Sequence, residues 1–173
     1  MTEEEIYRKI LERKMTGIHY HLELSEYYKF LAVDKYWCLH KKHANCEMKD
    51  YEKTVNKYME YTNKLIKTAS PEIRRVVPDS WYGYKRQDVN PSEKRKAVRD
   101  GFQMWLDWEI ETKSLYLEYY AELKQMNSLT LARMVGHMIM DEDEEISEAE
   151  SMMLDLADAE YSMEKIKETD SWE

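Results

Sequence analysis

The chain has 173 residues, 35% of them charged, with a formal net charge of -9 and only four glycines and three prolines. A chain of this length can bury a full core as one domain, and so few helix breakers leave little room for strands. The acidic balance speaks against direct binding of nucleic acid or anionic membrane, and no apolar run approaches the roughly 18 residues that a membrane span needs.

The N-terminus, Met-Thr-Glu-Glu-Glu, is acidic where a signal peptide is basic and then apolar, so a cytoplasmic protein is expected. Cys38 and Cys46 stand eight residues apart on one predicted helix, about 12 Å along its axis, and are expected to be free thiols.

The first helix is predicted over residues 3–32, opened by Thr2 as cap with Glu5 reaching back. Its inward stripe reads Tyr7, Ile10, Leu11, Lys14, Ile18, His21, Leu24, Tyr28 and Leu31. The second is predicted over 34–67, with the stripe Trp37, His40, Ala44, Glu47, Tyr51, Thr54, Tyr58, Tyr61 and Leu65. Residues 69–91 interrupt the pattern, since all three prolines and Gly83 fall there, and a short helical turn is expected after Ser70-Pro71. A segment of this length can run along a bundle and leave the second and third helices parallel; its Trp81, Tyr82 and Tyr84 suit it to clasping that bundle.

Asn90-Pro91-Ser92-Glu93 starts a third helix, predicted over 91–126, on the stripe Val98, Phe102, Trp105, Glu109, Thr112, Tyr116, Tyr119, Leu123 and Met126. Asn127-Ser128 reads as a tight turn and cap. The fourth helix is predicted over 128–167 on Leu131, Met134, Met138, Asp141, Glu145, Met152, Ala159, Met163 and Ile166. The expected architecture is all-α: one domain over 1–173, a ferritin-like four-helix bundle with one long crossover between the second and third helices.

Each stripe carries polar residues at one level. If the chain folds back near residues 33 and 127, then His21, His40, His43, Glu47, Glu109, Asp141 and Glu145 fall in one interior layer. Buried carboxylates must be protonated, paired with histidine, hydrated or bound to a metal. Inward Glu and His on four helices are how di-iron and di-manganese bundles hold metal, and these donors suit Fe, Mn or Zn. The chain departs from that pattern. It has His40-x-x-His43 followed by Glu47 in place of Glu-x-x-His, and no histidine three residues after Glu142, Glu144 or Glu145. Cys46 could add a thiolate, a buried inert thiol being the alternative. A structural His-carboxylate network therefore stays open beside a metal site. No phosphate loop, nucleophile elbow or zinc-finger spacing is present, which speaks against hydrolase or transferase chemistry.

From Asp141 to Glu173 there are fourteen acidic residues against Lys165 and Lys167, while Arg74 to Arg99 carries eight basic residues against three acids. Glu142, Asp143, Glu144, Glu148, Glu150, Asp155, Asp158 and Glu160 cannot all face a core, so either a solvated face or an acidic surface for a basic partner is expected.

Gly17-Ile-His-Tyr-His-Leu-Glu-Leu-Ser-Glu-Tyr-Tyr-Lys-Phe-Leu31, His40-Lys-Lys-His-Ala-Asn-Cys-Glu47, Pro78-Asp-Ser-Trp-Tyr-Gly-Tyr-Lys-Arg-Gln-Asp-Val89 and Trp105-Leu-Asp-Trp-Glu-Ile-Glu-Thr-Lys113 resemble a family of small acidic helical proteins encoded by phages and mobile elements of gut bacteria. The resemblance implies an accessory protein in the host bacterial cytosol, and the seven polar-layer residues match its pattern. Combined with the acidic fourth helix, it gives the leading expectation: an anti-defence or anti-CRISPR-like inhibitor that binds a basic host protein such as Cas9, with homo-oligomers also allowed. The alternative expectation is a ferritin-like metal-binding bundle of di-iron or di-manganese type.

Overall fold

Most helix ends have a local cause. Thr2 accepts a hydrogen bond from the Glu5 backbone N–H and the Glu5 carboxylate accepts from the Thr2 backbone N–H, so two donors at the start of helix α1 (Glu3–Phe30) are satisfied at once. That helix ends where Ala32 takes the left-handed conformation (φ 55°), with Val33 N–H donating to Tyr28 O and Ala32 N–H to Lys29 O. Helix α2 (Asp34–Thr62) follows at once. It stops five residues short of the predicted end because Asn63 is left-handed and donates back to Met59 O. Leu65, beyond that end and expected in the core, is 87% exposed, and Tyr61 in the last turn of α2, also expected there, is 53% exposed.

Helix α3 (Pro91–Gln125) opens on the predicted Asn90 capping box, and Asn127, again left-handed, closes it. Helix α4 (Leu129–Asp158) completes the set. The expected Ser128 side-chain cap is not made: the hydroxyl is buried without a hydrogen-bond partner, and only the Ser128 carbonyl serves α4, accepting from Ala132. The computed structural model describes residues 1–67, 70–158, 160–162 and 164, among which there is no strand. Ala159, Met163, Ile166 and the predicted helix end at Lys167 lie outside the described residues. No helix among them is long and apolar enough to cross a membrane.

Helices α1 and α2 form one antiparallel hairpin, and α3 and α4 another. Lys14 meets Glu47 while Tyr28 meets Tyr36, which fixes the register of the first pair. Arg13 meets Thr112 and Tyr28 meets Val98, so α1 is antiparallel to α3 and α2 is parallel to it. This relation needs a connection that travels the length of the bundle, and residues 63–90 make it. No turn forms after Ser70-Pro71; two short 3-10 turns occur instead, at Asp79–Trp81 and Arg86–Asp88.

The connection is clasped to the α1/α3 side. Glu72 N–H donates to Thr16 Oγ1 at 3.1 Å, and the Arg74 guanidinium donates twice to the Glu111 carboxylate at 2.6 and 2.8 Å. Trp81 packs on Tyr27, and Arg86 donates to Lys29 O at the end of α1.

Two aromatic-rich cores fill the interior. One holds Tyr28, Tyr36, Phe102, Trp105 and Trp108, and the other Tyr7, Tyr58, Tyr116 and Tyr119. The polar layer lies between them.

Candidate metal centre

On α1, spacing by one and two turns puts Lys14, Gly17 and His21 on the inward face. On α2, His40, His43 and Glu47 do the same, and on α3, Trp105, Glu109, Thr112 and Tyr116. On α4, the buried stripe runs Leu131, Val135, Met138, Glu142, Ala149 and Leu156, with Glu145 partly covered.

The α4 stripe therefore turns one residue away from the prediction at two of its steps, and this changes the membership of the site. Asp141 is exposed, while Glu142, assigned by the sequence reading to an outer partner surface, is 3% exposed and points inward. One residue is a 100° rotation about the helix, enough to exchange core for rim. Asp141 lies beside a cavity of about 80 Å³ lined by Asp50, Lys53, Thr54, Met134, His137 and Met138; burial and the charge of Asp50 raise its pKa.

His21, His40 and Glu109 are at most 1% exposed. His21 Nδ1 and His40 Nδ1 are 3.3 Å apart, so one ring donates and the other accepts. When His21 is the donor, its Nε2 carries the lone pair. That nitrogen lies 3.4 Å from Glu109 Oε1 and is otherwise without a hydrogen-bond partner among the described residues. Glu109 Oε1 accepts from Trp105 Nε1 at 2.8 Å, which anchors the carboxyl group against the aromatic core. His43 Nδ1 lies 3.0 Å from Glu145 Oε2 and joins α2 to α4; its Nε2 is 3.7 Å from Glu148. Lys14 Nζ is 2.9 Å from Glu47 Oε2, 3.8 Å from Glu142 Oε1 and 3.9 Å from Asp50.

Electrostatics sort these groups. Burial first, then the neighbouring charge of His43, lowers His21 to about 4; burial, with His21 and His43 nearby, puts His40 well below the ordinary imidazole range. Both rings are neutral in the folded state near pH 7. Burial raises Glu109 well above the carboxylate range, and the Glu145 charge adds to the effect; burial raises Glu142 to about 10 against the opposing pull of Lys14. Burial also acts to raise Glu145, but the hydrogen bond and charge of His43 outweigh it and hold the group near 2. For Lys14, burial opposes the charge, while Glu47, Tyr116 and Glu142 together outweigh it and keep the ammonium well above its usual value. Glu109 hydrogen-bonds both Glu142 and Glu145, so three carboxyl groups converge and a proton or a cation must sit among them.

His21, Glu109 and Glu145 each bring a ligand atom, all within 4.8 Å of one another. Oxygen and nitrogen ligands at 2.0–2.2 Å from a shared ion stand about 3.3 to 4.4 Å apart, depending on the angle between them, so the three donors need to draw together to close on one ion. Among the described residues this is the sole group of three such donors so placed. The donors fit one ion. They do not fit the two-ion pattern, because Glu47 and Glu142, the remaining carboxylates of the layer, already face Lys14.

Of the predicted ligands, His21, His40, His43, Glu47, Glu109 and Glu145 are brought together, whereas Asp141 stays at the rim. Cys46 and Cys38 are exposed free thiols, so neither the thiolate ligand nor the buried thiol occurs. Lys14 and Trp105 were visible on the inward stripes, but a lone Lys between Leu11 and His21 was not read as part of the layer. Of the outer acids, Asp143 pairs with Lys113, Glu148 approaches His43, and Glu144, Glu150, Asp155, Asp158 and Glu160 are exposed.

The sequence matches no protein-family model and no curated protein. Solved structures do resemble it over nearly their whole length. An engineered closed form of the Archaeoglobus fulgidus ferritin is 11% identical, covers 100% of this chain and 98% of its own, and superposes with a TM-score of 0.79. The apo-ferritin from Pseudo-nitzschia multiseries is 12% identical over 98% of both chains, with a TM-score of 0.75. A variant of PmFTN soaked in iron is 11% identical over 98% of this chain and 97% of its own, at 0.76.

These likenesses overturn the leading expectation of an anti-CRISPR-like inhibitor of a basic host protein. The chain-wide structural neighbours are ferritins, and one of the α4 acids expected to face outward, Glu142, turns into the polar layer instead. The fold is a ferritin-like four-helix bundle with one long crossover.

Proposed function

We propose that this chain is a metal-binding ferritin-like bundle that holds one divalent transition-metal ion through His21, Glu109 and Glu145. The observation that carries the reading is the convergence of those three donors within 4.8 Å, with His21 Nε2 buried and unpartnered beside them. A neutral imidazole with two carboxylates suits Fe, Mn or Zn, and the iron-soaked crystals of the structural neighbour make Fe the first ion to try.

The protein's own groups prepare the site. His40 orients the His21 ring and, when it accepts from His21 Nδ1, leaves the His21 Nε2 lone pair free; Trp105 fixes Glu109, and His43 orients Glu145. Glu109, which burial holds in the protonated form, would release that proton to solvent in exchange for a bound cation. A bound iron or manganese would supply one-electron chemistry beside the buried His21 and Glu109.

Purified protein, reconstituted separately with Fe(II), Mn(II) and Zn(II) and then desalted, is expected to retain about one ion per chain by elemental analysis. His21→Ala and Glu109→Gln should lose it. Retention below about 0.2 ion per chain with all three metals would exclude the reading.

A further inference from the structure

Lys14 is 3% exposed, and its ammonium is surrounded from all the other helices. Glu47 of α2 lies 2.9 Å away, Glu142 of α4 lies 3.8 Å away, and the Tyr116 ring of α3 lies with its centre at 5.5 Å. Asp50, one turn beyond Glu47, approaches to 3.9 Å. Carboxyl groups from two helices thus converge on one point in a water-poor interior, which is the surrounding of a bound cation, and the cation is part of the chain.

Glu142 ties this point to the proposed metal site. Glu142 Oε1 faces Lys14, the carboxyl group is hydrogen-bonded to Glu109, and Glu142 Oε2 has no donor among the described residues. Gly17 makes the arrangement fit. A Cβ there would stand 3.1 Å from Glu47 Oε1 and 3.2 Å from its carboxyl carbon, so any side chain would press Glu47 away from its position beside Lys14.

We infer that Lys14 is a built-in cation in the place a second metal ion would take, so that the layer accepts one divalent ion and not two. This deepens the reading above and rests on it for the count in the native protein. The physical reason is exclusion by like charge. A divalent ion bound by Glu47 and Glu142 would lie against the ammonium in a medium of low dielectric, where repulsion is strong and solvent cannot relieve it.

The test is Lys14→Met, which keeps the stem's bulk and removes the charge. After reconstitution with Mn(II) or Zn(II) and desalting, the variant is expected to retain one ion per chain more than the native protein treated alongside. The readout is that difference. A native protein retaining none beside a variant retaining one would sink the proposed function and keep this inference; one ion in each would sink this inference alone, and none in either would sink both. Two ions in the native protein would also overturn it.

If Lys14→Met does not fold, the native protein supplies a second measurement. Lys14 is expected to resist amine acylation, read by peptide mass spectrometry, both metal-free and Mn-saturated. Labelling of Lys14 on metal saturation would show the ammonium displaced and would overturn the inference.

Discussion

His21 and His40 face each other through Nδ1 atoms 3.3 Å apart, both rings shut off from water. Two imidazolium ions cannot share that geometry, so at least one ring is neutral, and burial pushes both downward, His21 to about 4. Between pH 6.5 and 4 the unfolded chain binds protons that the folded one does not. Stability is therefore expected to fall as pH falls through that window, by on the order of 3 kcal/mol for His21 alone. Thermal melts of metal-free protein from pH 7 to 4 check this; His40→Phe should shallow the slope.

Glu142 produces the opposite trend on the alkaline side. Its folded pKa of about 10 lies above the ordinary 4.5, so the folded state binds the extra proton between those values and loses that stability as pH rises. The metal-free Tm is expected to drop from pH 6 to 9. Glu142→Gln, which replaces the proton by a permanent amide, should flatten that drop, and a variant as pH-sensitive as the native protein would contradict the assignment.

Gly101 lies inside α3, where Ala ordinarily stabilises by about 1 kcal/mol. Here an added Cβ would stand 2.5 Å from Tyr28 Oη and 2.9 Å from its Cζ. That hydroxyl donates to Val98 O, and the ring is stacked on His40 within 2° of parallel. Gly101→Ala is expected to destabilise by about 1–3 kcal/mol in urea titration, because a packed core has no slack for the ring to retreat.

Glu111 clasps the crossover. It accepts both bonds from Arg74 and another from Arg13, whose guanidinium lies 3.4 Å from the centre of the Trp108 ring. Glu111→Gln should cost only about 1 kcal/mol globally, since the carboxylate is half exposed. Its main effect should be local: several-fold faster cleavage by trypsin after Arg74 or Arg75. An unchanged digestion rate would mean that Trp81 and Arg86 alone retain the segment.

Much of this bundle was legible along the chain. Capping boxes at Thr2 and Asn90, prolines confined to one segment, and apolar stripes of helical period follow from local chemistry that needs no partner, and they placed four helices and the long connection. The α3 stripe from Val98 to Leu123 is buried throughout because every step of it is large and apolar or sits opposite a polar neighbour. Helix ends were less legible. Asn63 and Ala32 adopt left-handed backbone that no proline or glycine announces.

The site lay in between. That ionisable residues of four helices share a level could be read from distances to the turns, but helix rotation could not. On α4, acidic residues occupy 141 through 145 without a break, so composition does not distinguish one face from the next. Only packing against Glu109 and Lys14 selects Glu142 over Asp141. The same holds for Lys14. In sequence it is one more charged residue on a stripe, and only the convergence of Glu47 and Glu142 from two other helices makes it a cation in a cage, because long-range contacts, not spacing, decide which charges are removed from water together.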